Sequence, residues 1–166
     1  MKVMGMVLLV VQLCVTPLFA MEYQVHVVRQ GGNLYWAAAE KMYIQTEYCV
    51  EDSTTADAVL QMEGDSGDIT FTGSGNKCMV KMLYGRTRLK AGKYAIRVSR
   101  EDDNWYGIVA KKIALKTDGC LSLVEDMQAI LQIHDDGAGT LSLPEADEEC
   151  TVSEVYSQAQ LHLNKQ

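Results

Sequence analysis

Tyr23-Gln24-Val25-His26-Val27-Val28-Arg29 and Tyr94-Ala95-Ile96-Arg97-Val98-Ser99-Arg100 stand 71 residues apart and carry one pattern. In each, Tyr, a β-branched aliphatic, Val and Arg fall at every second position, the alternation of a half-buried strand. The same offset pairs Asn33, Tyr35, Ala39, Lys41, Ile44, Thr46 and Cys49 with Asn104, Tyr106, Ala110, Lys112, Leu115, Thr117 and Cys120. Ala58-Val59-Leu60-Gln61-Met62 then matches Ala129-Ile130-Leu131-Gln132-Ile133. One extra residue moves the offset to 72, which aligns Gly67, Ile69, Phe71, Cys78, Val80 and Tyr84 with Gly139, Leu141, Leu143, Cys150, Val152 and Tyr156. A single spacing kept over nearly the whole unit reads as a tandem duplication. It sorts the residues: those both copies keep belong to the fold, and those one copy has alone are candidates for function.

Within a unit, the opening strand leads to a turn, Gln30-Gly31-Gly32-Asn33 or Glu101-Asp102-Asp103-Asn104. These residue types accept turn conformations and local hydrogen bonds. A strand carrying Tyr35 or Tyr106 follows, then Met42-x-Ile44 or Ile113-x-Leu115, which runs into the first cysteine. The unit closes with Ile69-x-Phe71 and Cys78-x-Val80-x-Met82 around the loop Gly73-Ser74-Gly75-Asn76, a hairpin signal. Residues 53–62 and 122–133 read either way. Ser122-Leu123-Val124-Glu125 has the form of a helix capping box, while Ala58, Leu60 and Met62 alternate as a strand would. The expected fold is mostly β: two antiparallel β-meander units of about 71 residues, each with one internal disulfide and room for one short helix.

Three segments follow: 1–20, a signal peptide; 21–93, the first β unit; and 94–166, the second. Lys2, the apolar run Val7 to Val15 and the small residue Ala20 have the layout of a secretory signal. The expected location is therefore secreted or periplasmic, with no stable membrane insertion after cleavage. Beyond the signal lie four cysteines, two per unit, separated by 29 and 30 residues. In an oxidising compartment this predicts Cys49–Cys78 and Cys120–Cys150, so that each unit closes on itself. Zinc binding would call for cysteines two to four residues apart or nearby histidines, and neither pattern occurs.

The net charge of −7 is unevenly divided. Residues 23–93 hold eight acidic and eight basic side chains, whereas 94–166 hold thirteen acidic and six basic. A chain of this balance is not built for nucleic acid. One stretch runs against it: Lys77, Lys81, Arg86, Arg88, Lys90 and Lys93 occur with no acid among them. Arg86, Arg88 and Lys90 are spaced by two, so an extended strand would project them from one face. The second copy has Gln158, Gln160 and His162 at those places. Lys81, Arg86, Arg88 and Lys90 are thus candidate ligand contacts for an anionic ligand or a partner protein. The competing roles are a charged edge strand and a strap against the acidic second unit.

Trp36 and Trp105, offset by two places between copies, complete the ligand-binding candidates, since exposed aromatic residues serve as binding hot spots. A weak calcium candidate lies in His134–Glu145, with Asp136 and Glu145 as carboxylate ligands. His134 and Ala138 replace two of the oxygen donors such a loop needs, and an acidic turn explains the stretch equally well. No nucleophile motif, phosphate loop or metal-binding His-x-x-x-His is present. The expectation is a non-catalytic binding module without a cofactor. The alternatives are an exported hydrolase with an acidic carboxylate site and a calcium-stabilised adhesive or structural module.

Overall fold

A computed structural model describes residues 21–49 and 51–161. Residues 1–20, expected to be a signal peptide, and His162 lie outside the described residues. Twelve strands follow in order: β1 (Met21–Arg29), β2 (Leu34–Ala37), β3 (Met42–Glu47), β4 (Thr55–Glu63), β5 (Ser66–Phe71), β6 (Lys77–Thr87), β7 (Gly92–Asp102), β8 (Trp105–Ile108), β9 (Ile113–Asp118), β10 (Met127–Ile133), β11 (Gly139–Leu143) and β12 (Glu148–Gln158). A single 3-10 turn, Pro144–Ala146, precedes β12.

The first six strands are not an open meander. β1 pairs with β2 and β4, β2 with β3, β3 with β6, β6 with β5, and β5 with β4, all antiparallel. The β4-β1-β2-β3 order is a Greek key, and the β5–β6 hairpin closes it into a six-stranded barrel. Closure removes the free sheet edges that an open meander of this size would leave. β7–β12 make the same set of pairings around a second ring.

The two rings agree in detail. A bulge interrupts the β3–β6 ladder at Lys81 and the β9–β12 ladder at Ser153. Thr46 N donates to the Asn33 carbonyl and Thr117 N to the Asn104 carbonyl, both at 2.8 Å. The extra residue that shifts the offset falls in the β10–β11 turn, where lengthening leaves strand register intact. Each ring holds its own core, Tyr35, Ile44, Leu60, Ile69 and Phe71 in one, Tyr106, Leu115, Leu131, Leu141 and Leu143 in the other.

No α-helix occurs among the described residues. Residues 55–63 and 127–133 are β4 and β10, each paired on both sides. Ser122 caps no helix, because residues 121–126 are irregular and lead straight into β10; its N–H donates to Glu148 Oε2 at 3.0 Å. The room left for a short helix is therefore corrected to strand, with two neighbours supplying the ladder hydrogen bonds that a helix would have made internally.

Both predicted disulfides form, Cys49–Cys78 with Cα atoms 5.2 Å apart and Cys120–Cys150 with 5.3 Å. Each ties the β3–β4 or β9–β10 crossover to the last strand of its ring. A carboxylate reinforces each junction, from opposite sides. In the first ring Glu51, on the crossover, accepts from Ser53 N at 3.1 Å, Ser74 Oγ at 2.5 Å and Asn76 Nδ2 at 3.2 Å. In the second, Glu148, at the position matching Asn76, accepts from Leu121 N at 2.6 Å and Ser122 N at 3.0 Å. The Ser74 hydroxyl, followed by Ser53, holds the Glu51 carboxyl down to about 2. Glu148 is also lowered, chiefly by Ser122.

Candidate functional site

The barrels meet along β6 and β12, which pair from Tyr84↔Gln158 to Thr87↔Val155. Side-chain alternation gives each strand one face toward its barrel interior and one face outward. Where the outward faces of the two barrels meet, a third core forms from Leu34, Tyr43, Tyr84, Trp105, Ala114 and Tyr156. This explains why β3 is buried from Met42 through Thr46 instead of at alternate positions. Trp105 is its centre, 1% exposed, with ring centroids 4.9 Å from Tyr43, 5.0 Å from Tyr156 and 5.7 Å from Tyr84. Trp36 is partly buried at the margin, 4.7 Å from Tyr43. The tryptophans do face alike, as their two-place offset implies, but toward the other barrel. Trp105 offers no surface to a ligand. Burial raises the hydroxyl of Tyr84 to about 12 and also that of Tyr156.

Polar contacts frame this seam, and the second barrel supplies the acids in most of them, Glu101, Asp102 and Glu154, while Asp65 comes from the first. Asp102, opposite Gly31 in the alignment, accepts from Gly32 N at 3.1 Å and Asn33 N at 3.0 Å across the seam. Only glycine allows this approach, since a Cβ at position 31 would lie 2.5 Å from Asp102 Oδ1. Glu101 Oε2 accepts from Lys81 Nζ at 2.6 Å and Gln45 Nε2 at 3.1 Å. Glu154 takes Arg86 Nη2 at 3.1 Å, and Lys112 Nζ reaches Asp65 at 2.9 Å.

The basic stretch is consequently divided. Lys77 pairs with Asp68 at 2.9 Å, Lys81 with Glu101 and Arg86 with Glu154. The Lys81 contact depends on the bulge, which re-aims that side chain. Arg88, Lys90 and Lys93 are exposed, and no ion pair holds them among the described residues. β6 ends at Thr87, so Arg88 and Lys90 lie in the connection to β7, not on a strand. They flank Leu89, which packs against the second barrel's core and leaves its two neighbours facing solvent. Tyr94 fixes the same connection by donating from its hydroxyl to the Lys90 carbonyl at 2.7 Å. Arg86 and Arg88 also line a 140 Å³ recess shared with Asp136 and Glu154. Lys93 lies in a separate depression of 230 Å³ with His134 and Glu149.

The twelve residues of the calcium candidate do not fold as one loop. Residues 139–143 are β11, paired to β10 and β12, and they separate Asp136 from Glu145. The stretch before them, Ala129 to Ile133, is strand and not an incoming helix. Asp136 Oδ1 instead accepts from Ala138 N at 3.0 Å, closing a tight turn. Among the described residues no group of three or more His, Cys, Asp or Glu is placed to hold a metal ion.

Apolar side chains that no motif marks are exposed on the crossover loops and the β8–β9 turn. Tyr48, Leu121 and Leu123 are 92, 78 and 86% exposed, although buried cysteines adjoin the first two. The available signal was comparison of the copies, since Gly119, Val50 and Asp52 occupy the corresponding places.

No family model, curated protein or solved structure matches this chain in the comparisons made with known proteins. Two disulfides are characteristic of oxidising compartments. No helix among the described residues is long and apolar enough to cross a membrane.

Proposed function

We propose that this chain is an exported, non-catalytic binding module that takes an extended anionic partner, such as an acidic glycan, at Arg88, Lys90 and Lys93. The observation that carries this reading is the division of the basic stretch. Lys77, Lys81 and Arg86 neutralise the protein's own carboxylates, while the next three cations are exposed and unpaired among the described residues. Nothing in the shared pattern requires Arg88 and Lys90, since Gln160 and His162 stand at the matching places of the second unit. The overall charge of −7 does little against a polyanion at a distance, because screening at physiological ionic strength confines each charge to about 8 Å.

The proposed origin is duplication of a unit of about 71 residues, giving units 21–93 and 94–166 after an export signal at 1–20. The second copy then acquired Glu101, Asp102 and Glu154, which serve the seam. Arg88 and Lys90 on the connection to β7, with Lys93 at the start of β7, serve the partner. Heparin affinity chromatography tests the binding role, with neutral dextran as control. The native protein is expected to be retained and to elute with salt. The triple variant Arg88→Gln, Lys90→Gln, Lys93→Gln is expected to pass through with unchanged melting. Equal retention of both proteins would refute this assignment.

A further inference from the structure

The largest surface cavity among those described lies on the second barrel, apart from the cationic connection. It is an open groove of 670 Å³ between β7, β10, the β8–β9 turn and the 3-10 turn. Ile96, Ile108, Val109, Ile130 and Pro144 supply an apolar wall. Val109 is 40% exposed there, and its N–H donates to the Arg97 carbonyl at 2.9 Å, which fixes the turn against β7. The volume is that of a small-molecule site, and such sites are mainly apolar with a few placed polar groups.

Comparison of the two copies indicates that this wall is an addition to the common fold. Ile108, Val109 and Pro144 correspond to Ala37, Ala38 and Thr72 of the first unit, and the lining cation Lys111 corresponds to Glu40. The second barrel has gained apolar bulk and reversed a charge at one place. Two cations line the groove, and they differ in commitment. Arg97 is held by Asp126, Nε to Oδ1 at 2.6 Å and Nη2 to Oδ2 at 2.8 Å, with Glu145 nearby. Lys111 is exposed and has no ion pair among the described residues. An apolar trough with one uncommitted ammonium at its rim complements a molecule with an apolar body and a single anionic head.

We infer that the groove between β7, β10 and the β8–β9 turn binds a small amphipathic anion, with the aliphatic body against Ile96, Ile108, Val109 and Ile130 and the head at Lys111. This site is independent of the proposed polyanion contact at Arg88, Lys90 and Lys93. Displacement of the fluorescent probe 8-anilinonaphthalene-1-sulfonate by decanoate and by decanol tests it. The native protein is expected to bind both, decanoate more tightly. Lys111→Glu is expected to weaken decanoate about tenfold or more and leave decanol unchanged, since only the charge term is altered. Val109→Asp, on the exposed turn, is expected to weaken both, and Arg88→Gln, Lys90→Gln, Lys93→Gln neither. Unchanged melting certifies each fold. Absence of saturable decanoate binding to the native protein, or native affinity in Lys111→Glu, overturns the inference. Loss of decanoate binding in the triple variant does so as well, because it moves the anion site to the 88–93 connection.

Discussion

Replacing Trp105 by alanine removes the largest of the fully buried side chains and the one on which the seam between barrels turns. Its ring meets Tyr43, Tyr84 and Tyr156 at centroid distances of 4.9, 5.7 and 5.0 Å. Large-to-small changes at buried aromatic positions cost about 3–5 kcal/mol, as lost transfer energy and the residual cavity add. Each lost aromatic pair accounts for about 0.5–1.5 kcal/mol beyond area. The indole N–H finds no hydrogen-bond partner among the described residues, and the substitution removes this buried donor. A net loss of about 3–4 kcal/mol is expected, a large share of the roughly 5–15 kcal/mol typical of a folded domain. The seam, unlike the two inner cores, lies between rings that each close separately, so its loss should also uncouple them. Urea unfolding of the oxidised protein, followed by fluorescence of Trp36 and by far-UV circular dichroism, measures both effects. In Trp105→Ala the Trp36 signal should change before the secondary structure melts. Trp105→Leu restores the residue type of the matching Leu34 and should recover much of the loss. A destabilisation below about 1 kcal/mol, with coincident transitions, would refute the view that this residue couples the barrels.

Gly31→Ala places a methyl 2.5 Å from Asp102 Oδ1 and is expected to cost about 1–3 kcal/mol. With Asp102→Ala in the same chain, the added methyl should cause little further loss, a non-additivity readable in a double-mutant cycle. Glu51 is held at about 2, against 4.5 for the free side chain. The unfolded chain therefore binds the extra proton between those values, so Glu51 adds stability above about pH 4.5 and loses it as pH falls through 2. Urea titrations at pH 2, 3, 4 and 5 should show this rise with pH, and Glu51→Gln should flatten it. Replacing either cysteine pair by serine opens a loop of 29 or 30 residues and should cost about 3–4 kcal/mol in the chain-entropy description, to a similar degree in both rings. Thermal unfolding without reductant checks this equality.

Apolar alternation and the matching cysteine spacings of 29 and 30 residues made most strands and both disulfides legible, because these are local signals. Closure into barrels was not legible. It depends on β4 returning to β1 and β5 to β6, pairings between segments whose own pattern does not specify a partner. The same limit applied to residues 55–63 and 127–133. Their short apolar runs suit helix or strand, and neighbours on both sides decide between them. For the candidate site, the sequence shows which residues differ between the two units, but such a difference can serve an interface as readily as a ligand. Lys81 and Arg86 look equivalent to Arg88 and Lys90 in the chain. The bulge at Lys81 and the β6–β12 pairing at Arg86 are what bring them to Glu101 and Glu154. Trp105 likewise reads as an exposed aromatic until a second barrel covers the outward face of β8.

The division of labour within the basic stretch is tested most directly by the melting temperatures of two variants, Lys81→Gln with Arg86→Gln and Arg88→Gln with Lys90→Gln and Lys93→Gln. In the first, Glu101 and Glu154, each with 24% side-chain exposure, lose Lys81 and Arg86, and among the described residues Glu154 keeps only the longer ion pair to Lys116 at 3.9 Å. A loss of about 1–2 kcal/mol is expected, the sum of two modest exposed pairs and the cost of leaving the partly buried Glu101 carboxylate with only the Gln45 amide. The melting temperature should fall by roughly 2–4 °C for each kcal/mol. The second variant removes charges that hold no ion pair among the described residues, and its melting should stay within the small range of surface substitutions. A fall in the second variant with none in the first would contradict the account, because the cations assigned to a partner would then be the ones that hold the barrels together.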